Sequence, residues 1–171
     1  NGQATLAAKG KSLAAVLSSL MAERKSPAVE NPYATIELTN NGNKNYCVEI
    51  GTEVVPQWKT AFSAGSYTYG PSTGCLSTDS LVELNSTDIS ENISAGTLNE
   101  ATGTLDSYQV GDDVQRVLKL TYGYTASTAN AKDNFGDETD ISIPATSGLV
   151  AYSNYYIQGY RNSFYGIYTT K

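Results

Sequence analysis

A change of pattern at Pro27 divides this 171-residue chain into a helix-patterned segment and a body patterned for β-structure. In residues 4–25 the apolar side chains recur at the spacing of one helix face, and the alanines between them are strong helix formers. Pro27 cannot continue a helix and disfavours helical backbone at the residue before it. We therefore predict one amphipathic helix over residues 4–25. Its apolar stripe comprises Leu6, Leu13, Leu17 and Leu20, with Val16 and Met21 alongside.

The body, residues 33–171, alternates as β-strands do. Tyr33 to Thr39 alternates polar and apolar side chains, and the run Asn40-Asn41-Gly42-Asn43 that follows is a turn signal. Because Tyr46, Val48 and Ile50 then share one face, we predict a hairpin here. A second strand is predicted from Val114 to Tyr122. One face of this strand would carry Arg116, Leu118, Leu120 and Tyr122.

The whole chain, residues 1–171, is predicted to form a single domain with long loops at about 56–80, 85–110 and 125–140. A chain of this length buries about 70% of the surface that it exposes when unfolded, so neither a metal nor a dense disulfide scaffold is needed for folding. The fold class that we expect is α+β, with the N-terminal helix packed on an antiparallel sheet.

Charge and composition exclude several function classes. The net charge of −6 argues against nucleic-acid binding, which needs a basic surface. Histidine is absent, which removes Ser-His-Asp and Cys-His nucleophiles, and the chain has no glycine-rich phosphate loop. We therefore expect no enzyme. Residues 1–25 carry a net charge of +3 and the remainder −9, a balance that suits head-to-tail association between copies or, alternatively, only a solvated helix face.

Cys47 and Cys75 predict a single disulfide, the alternative being two buried free thiols. Two N-glycosylation sequons begin at Asn85 and Asn92. The body is also rich in Tyr, Thr, Ser and Asn. Together these features favour a location outside the cytoplasm, at the cell surface or extracellular.

An acidic stretch at residues 133–140 is the best candidate for a ligand site. Calcium accepts six to eight oxygen ligands in flexible geometry, and five oxygen-bearing side chains surround Gly136. They are Asp133, Asn134, Asp137, Glu138 and Asp140. The stretch therefore predicts a Ca²⁺ site, with an acidic solvated loop as the alternative, and we expect no other cofactor.

Aromatic residues crowd the C-terminal part of the chain. Tyrosine joins a large apolar face to a hydroxyl group, which suits glycan, membrane and protein interfaces. The predicted recognition patch comprises Tyr152, Tyr155, Tyr156 and Tyr160. The alternative is packing within the sheet, where tyrosine is favoured.

The order of helix, link and antiparallel sheet, with a cysteine pair and no evident active site, resembles type IV pilin-like proteins and pseudopilins. The segment from Gln3 to Lys25 is similar to the amphipathic second half of the pilin helix. The resemblance implies a structural or adhesive filament subunit, facing the periplasm before assembly and the cell exterior after it. Its partners would be other pilin-like subunits or further copies, with a host surface or glycan beyond them. The membrane would be reached only through an apolar half-helix preceding Asn1.

A second resemblance is to actinoporin-like pore formers, in which an amphipathic helix precedes a β body. The cluster Tyr152-Ser153-Asn154-Tyr155-Tyr156 would then bind lipid headgroups. This alternative implies a pore-forming, lipid-binding or glycan-binding module that uses the tyrosine cluster.

Overall fold

The structure is a computed structural model that describes residues 10–39, 45–84 and 89–161. These residues form twelve strands and one short helix, so the fold is mostly β. The α+β prediction is wrong, because the helix is short and does not pack on a sheet.

The larger sheet has five strands, in the spatial order β3-β12-β11-β7-β8. All neighbours pair antiparallel except β3 and β12, which run parallel. The strands are β3 (Asn45–Glu49), β7 (Ser80–Leu84), β8 (Ile89–Ile93), β11 (Asp113–Tyr124) and β12 (Thr146–Tyr160).

The smaller sheet has three antiparallel strands, β2 (Tyr33–Thr39), β5 (Gln57–Ser63) and β9 (Thr102–Thr104), in the order β2-β5-β9. Two short antiparallel pairs complete the described strands. These are β1 (Val29–Glu30) with β6 (Ser66–Tyr67), and β4 (Glu53–Val54) with β10 (Tyr108–Gln109).

Both sheets contribute to one hydrophobic core, as in a β-sandwich. Alternate side chains on each strand point to the same face, so every second residue can be buried. The small sheet contributes Ile36, Leu38 and Trp58, and the large sheet contributes Val82, Leu84, Leu118, Leu120, Tyr122 and Ile157. The sheets are also joined by a buried hydrogen bond, which the Leu38 amide donates to Ser153 Oγ at 3.0 Å.

The helix, α1 (Leu13–Met21), is shorter than predicted. It begins after Gly10, whose φ of +82° is left-handed, and Ser12 caps it by accepting a hydrogen bond from the Ala15 amide at 3.3 Å. It ends at Ala22, where the backbone becomes extended. Residues 4–9 of the predicted helix lie outside the described residues.

The hairpin prediction for residues 33–50 is wrong. β2 pairs with β5 in the small sheet, whereas β3 pairs with β12 in the large one. The chain therefore changes sheets between these two strands. β5 lies within residues 56–80, where the sequence predicts a long loop interrupted only by a short strand at residues 66–69, and that short strand is confirmed as β6. β8, β9 and β10 lie within residues 85–110, where a loop is also predicted. Residues 125–140, in contrast, form a loop with only an isolated bridge between Lys132 and Glu138.

Candidate functional site

Three tyrosines form a row on the outer face of β12. Side chains alternate along a strand, so Ser153 and Ile157 point into the protein while the residues between them face outward. Successive tyrosines in the row are four residues apart, or about 13 Å along the strand. The exposed outward positions are Tyr152, Asn154, Tyr156, Gln158 and Tyr160. We call this set the tyrosine row.

The structure thus brings together three of the four tyrosines in the predicted patch. Tyr152, Tyr156 and Tyr160 are all about half exposed or more. Of Tyr155 the structure describes the backbone, which pairs with Arg116 of β11. The row alternates aromatic rings with the amide groups of Asn154 and Gln158, so apolar faces and hydrogen-bonding groups are presented together.

The strands beside the row add one ion pair. Lys119 lies opposite Tyr152 on β11, and its Nζ donates a hydrogen bond to Glu83 Oε2 at 2.9 Å. This hydrogen bond and the charge of Glu83 raise the pKa of Lys119 above its usual value. On the other side of the row, Cys47 Sγ lies 3.8 Å from Gln158 Oε1.

Helix α1 exposes its apolar stripe to solvent. The exposed fractions are 75% for Leu13, 50% for Leu17, 61% for Leu20 and 88% for Met21. Among the described elements, none packs against α1. The expectation that these leucines are buried on the protein's own sheet is therefore wrong. Leu6, the fourth residue of the predicted assembly stripe, lies outside the described residues.

The extended segment that follows α1 is bound to the acidic turn at residues 133–137. The Lys25 amide donates a hydrogen bond to Asn134 Oδ1 at 2.8 Å, and Asn134 Nδ2 donates one to the Glu23 carbonyl at 3.0 Å. Between them, the Arg24 guanidinium pairs with both Asp133 and Asp137. We call this set of contacts the Arg24 clamp. The backbone is already extended at Ala22, so residues 23–25 make these contacts outside the helix.

Asp133 organises the turn from within. Its side chain is almost fully buried, and its Oδ1 accepts hydrogen bonds from the amides of Phe135 and Asp137, both at 2.9 Å. Its Oδ2 lies 3.1 Å from Arg24 Nη1, in an ion pair without hydrogen-bond alignment. Burial acts to raise the pKa of Asp133, but the two amides and the Arg24 charge outweigh it and hold the pKa below its usual value.

The carboxylate of Asp133, at the centre of the acidic turn, is therefore already bound by the backbone of the turn and by Arg24. Of the five predicted calcium ligands, Asp133 and Asp137 pair with Arg24 and Asn134 binds the backbone of residues 23 and 25. Glu138 and Asp140 are exposed. Within the described residues, no group of three or more acidic or cysteine side chains is placed to hold a metal ion. A Ca²⁺ ion at Asp133 would have to compete with Arg24, and the calcium site stays a prediction.

The two cysteines are not bonded in this structure. Cys75 is buried against Tyr124, whose partner on β12 is Thr146, whereas Cys47 is exposed and lies opposite Gln158 on the same strand. Thr146 and Gln158 are separated by about 40 Å of strand, and a disulfide needs Cα atoms within about 7 Å. The predicted disulfide is therefore incompatible with this fold.

Two further contacts were not foreseen. The first is the Arg24 clamp, for which the only signal in the sequence is the opposite charge of the N-terminal segment and the body. The second is Arg116, whose guanidinium carbon lies 3.8 Å from the centre of the Tyr108 ring. Among the described residues, the buried Tyr108 hydroxyl and the buried Arg116 Nε have no hydrogen-bond partner, and Arg116 as a whole is half-buried. The guanidinium is close enough to the ring for a cation–π contact.

Comparison with known proteins assigns no relative. No family model, no curated protein and no solved structure matches this chain. In the described part of the chain, α1 is too short to cross a membrane and no other helix is present to do so.

Proposed function

We propose that this protein is an extracytoplasmic structural or adhesive subunit that joins a larger assembly through α1. The observation that carries the proposal is the exposed leucine stripe of a helix whose base is fixed on the body. Three leucines and a methionine on one helix face stand in water, although the same chain buries Leu118 and Leu120 completely. A second copy that covered them would gain about 1.5–3 kcal/mol for each side chain buried.

The Arg24 clamp supports the proposal because it gives the helix a defined point of attachment. Two hydrogen bonds and two ion pairs attach residues 23–25 to the turn at residues 133–137. A segment without a role in the folded protein has no need for such an attachment. We infer that the clamp restricts where α1 can be presented to a neighbouring copy.

Charge also favours a second copy as the partner. The N-terminal segment carries +3 and the body −9. Arg24 already pairs with Asp133 and Asp137 of its own body, so the basic charge left to attract the body of a second copy is that of Lys9, Lys11 and Lys25. Such a contact is head-to-tail, and repetition of a head-to-tail contact that does not close into a ring produces a filament.

The test is the association state of the full chain, with charges placed on opposite helix faces. Leu13→Asp with Leu17→Asp puts two charges into the stripe. The matched control, Ala15→Asp with Ser18→Asp, adds the same charge to the opposite face, because residues on a helix are 100° apart. Sedimentation velocity over a concentration series should show association of the wild type and the control, and a monomer for the stripe variant. Association of all three proteins alike would contradict the proposal.

The tyrosine row favours a second candidate function, in which the protein binds a glycan or lipid surface. Exposed aromatic rings that alternate with amide side chains can stack on sugar rings and bind their hydroxyl groups. A glycan array with Tyr152→Ala plus Tyr156→Ala tests this function. Tyr33→Ala is the control, since Tyr33 is also exposed but lies on β2 in the other sheet.

Liposomes distinguish the lipid alternative. Release of a trapped dye by the wild type, lost when Leu13 and Leu17 are changed to Asp, would indicate a pore-forming module. Binding of vesicles without release, lost only in the tyrosine variant, would indicate a peripheral lipid-binding surface. Neither result is expected if the tyrosine row binds glycans alone.

A further inference from the structure

We propose that Asn92 is an N-glycosylation site, and this rests on the proposed location outside the cytoplasm. The sequon Asn92-Ile93-Ser94 lies at the end of β8, where the structure gives the three residues separate roles. Ile93 is buried in the core and anchors the strand, while Asn92 and Ser94 are exposed on either side of it. The acceptor amide and the hydroxyl that defines the sequon are therefore both accessible without unfolding the core.

The side chain of Asn92 makes no hydrogen bond that holds the described part of the fold together. Within the described part of the chain, its amide has no hydrogen-bond partner. Its backbone pairs with Leu81 of β7, which fixes the side chain on the outer face of the five-stranded sheet. A glycan attached here would leave the core and the strand pairing unchanged.

The surface beside Asn92 is suited to a first sugar. Asn92 borders an open depression of about 150 Å³, in which Gly123 and Gly148 contribute no side chains. Its lining is more apolar than polar, and Thr78, Thr121 and Ser147 contribute hydroxyl groups to it, while the hydroxyl of Ser80 donates to the Thr78 carbonyl. Such a lining provides donors and acceptors for the hydroxyl and acetamido groups of a sugar.

A glycan on Asn92 would lie on an outer strand of the five-stranded sheet, where it could prevent unwanted pairing with other chains. Among the described strands, β8 is the outer member of the five-stranded sheet, so one of its edges has no neighbouring strand. Exposed edges pair readily with other chains, and natural proteins obstruct them with charged side chains, proline, bulges or a covering loop or helix. A glycan on Asn92 would be a large soluble obstacle beside this edge, and it would direct association toward α1.

The reaction requires a sugar donor and a transferase of the secretory pathway. The Asn92 amide nitrogen forms a bond to the anomeric carbon of a polyprenyl-pyrophosphate-linked oligosaccharide. The bond from that carbon to the phosphate oxygen breaks, the polyprenyl pyrophosphate leaves, and the amide loses one proton to a base. No oxidant or reductant is involved.

The test is mass spectrometry of the full chain, exported behind a cleavable secretion signal from a host that glycosylates sequons. A reporter protein with a known acceptor site, exported from the same cells, shows that the host is competent. We expect the peptide containing Asn92 to carry one glycan, which is lost in Asn92→Gln and Ser94→Ala and kept in Ser94→Thr. Asn85→Gln separates the contribution of the other sequon.

An unmodified Asn92 peptide alongside a glycosylated reporter would overturn the proposal. Because export is imposed, this result does not depend on the natural location of the protein, which is tested separately by fractionating the native cells. Thermal melting of the Ser94→Ala variant, expected to match that of Ser94→Thr after glycan removal, shows that any loss of modification does not arise from misfolding.

Discussion

Leucine is buried in the sandwich core but exposed to solvent on helix α1. Leu118 and Leu120 of β11 are fully buried between two sheets, whereas Leu13, Leu17 and Leu20 of α1 are at least half exposed. Both segments are amphipathic in sequence. The difference is that the alternation of β11 meets complementary faces within the chain, and the stripe of α1 meets none among the described elements. An amphipathic pattern thus shows that a face is to be covered but not which molecule covers it.

The largest expected effect comes from truncating leucines in the two regions. Leu120→Ala should lower the free energy of unfolding by about 2–5 kcal/mol, because it leaves a cavity in a close-packed core. Leu17→Ala should change it by less than about 0.5 kcal/mol, because the side chain is already in water. Urea unfolding at a protein concentration where the chain is monomeric measures both. Similar losses for the two variants would show that α1 packs on the body after all.

A second test concerns the close contact that holds the small sheet in the core. Gly103 of β9 lies beneath the buried ring of Trp58, and a Cβ atom there would clash with the ring. Gly103→Ala should therefore cost about 1–3 kcal/mol, as overpacking does. Gly111→Ala is the control, because a Cβ atom at that position meets nothing within 4 Å. Equal stability of the two variants would contradict the packing of Trp58 on β9.

A smaller effect is expected at the boundary between the two regions. The Lys25 amide donates to Asn134 Oδ1, so its hydrogen exchange reports on the Arg24 clamp. Asn134→Ala should accelerate exchange of this amide by about 2- to 13-fold, the factor for a hydrogen bond worth about 0.5–1.5 kcal/mol. Exchange of the Leu120 amide in the core should not change. An unchanged rate at Lys25 would show that the clamp is not formed in solution.

The smallest effect is a dependence on pH. The pKa of Asp133 is lowered in the folded protein from an unperturbed 3.8, so its charge stabilises the fold. That contribution is complete above the unfolded pKa and is lost as the pH falls through the folded pKa. Asp133→Asn removes the titrating group, so the stability difference between wild type and variant should shrink from pH 5 to pH 2. A constant difference over this range would contradict the assigned role of Asp133.

Several elements could be predicted from the sequence because their signals are local. The strand expected from Val114 to Tyr122 is present within β11, and Leu118, Leu120 and Tyr122, which the sequence pattern predicts to share one face, are all buried. The helix lies within residues 4–25, and Gly10 and Ser12 explain its later start. Three tyrosines of the predicted patch also share one face, because alternation along a strand follows from the sequence alone.

The remaining errors concern partners that are distant in the chain. The sequence pattern at residues 40–43 is typical of a turn, and it predicts that the two flanking strands pair with each other. β2 pairs instead with β5, which the sequence pattern does not predict as a strand. β5 contains the buried polar residue Thr60. Its hydroxyl donates a hydrogen bond to the Leu98 carbonyl at 2.7 Å, and its amide donates one to the Ala101 carbonyl, so its buried polar groups have partners. The alternation of polar and apolar residues within one strand does not predict hydrogen bonds to residues far away in the chain. The same limit applies to the Arg24 clamp, which joins residues more than 100 positions apart.

Hydrogen exchange of α1 as a function of protein concentration tests the assembly role of the helix most directly. A nine-residue helix that packs against none of the described elements is only marginally stable in water. The amides of α1 should therefore exchange at nearly unfolded rates in the monomer. In the wild type they should become protected as the protein concentration rises and the chains associate. In the variant with Leu13→Asp and Leu17→Asp they should stay unprotected at every concentration. Strong protection of α1 in the dilute monomer, or no gain in protection when the chains associate, would contradict this account.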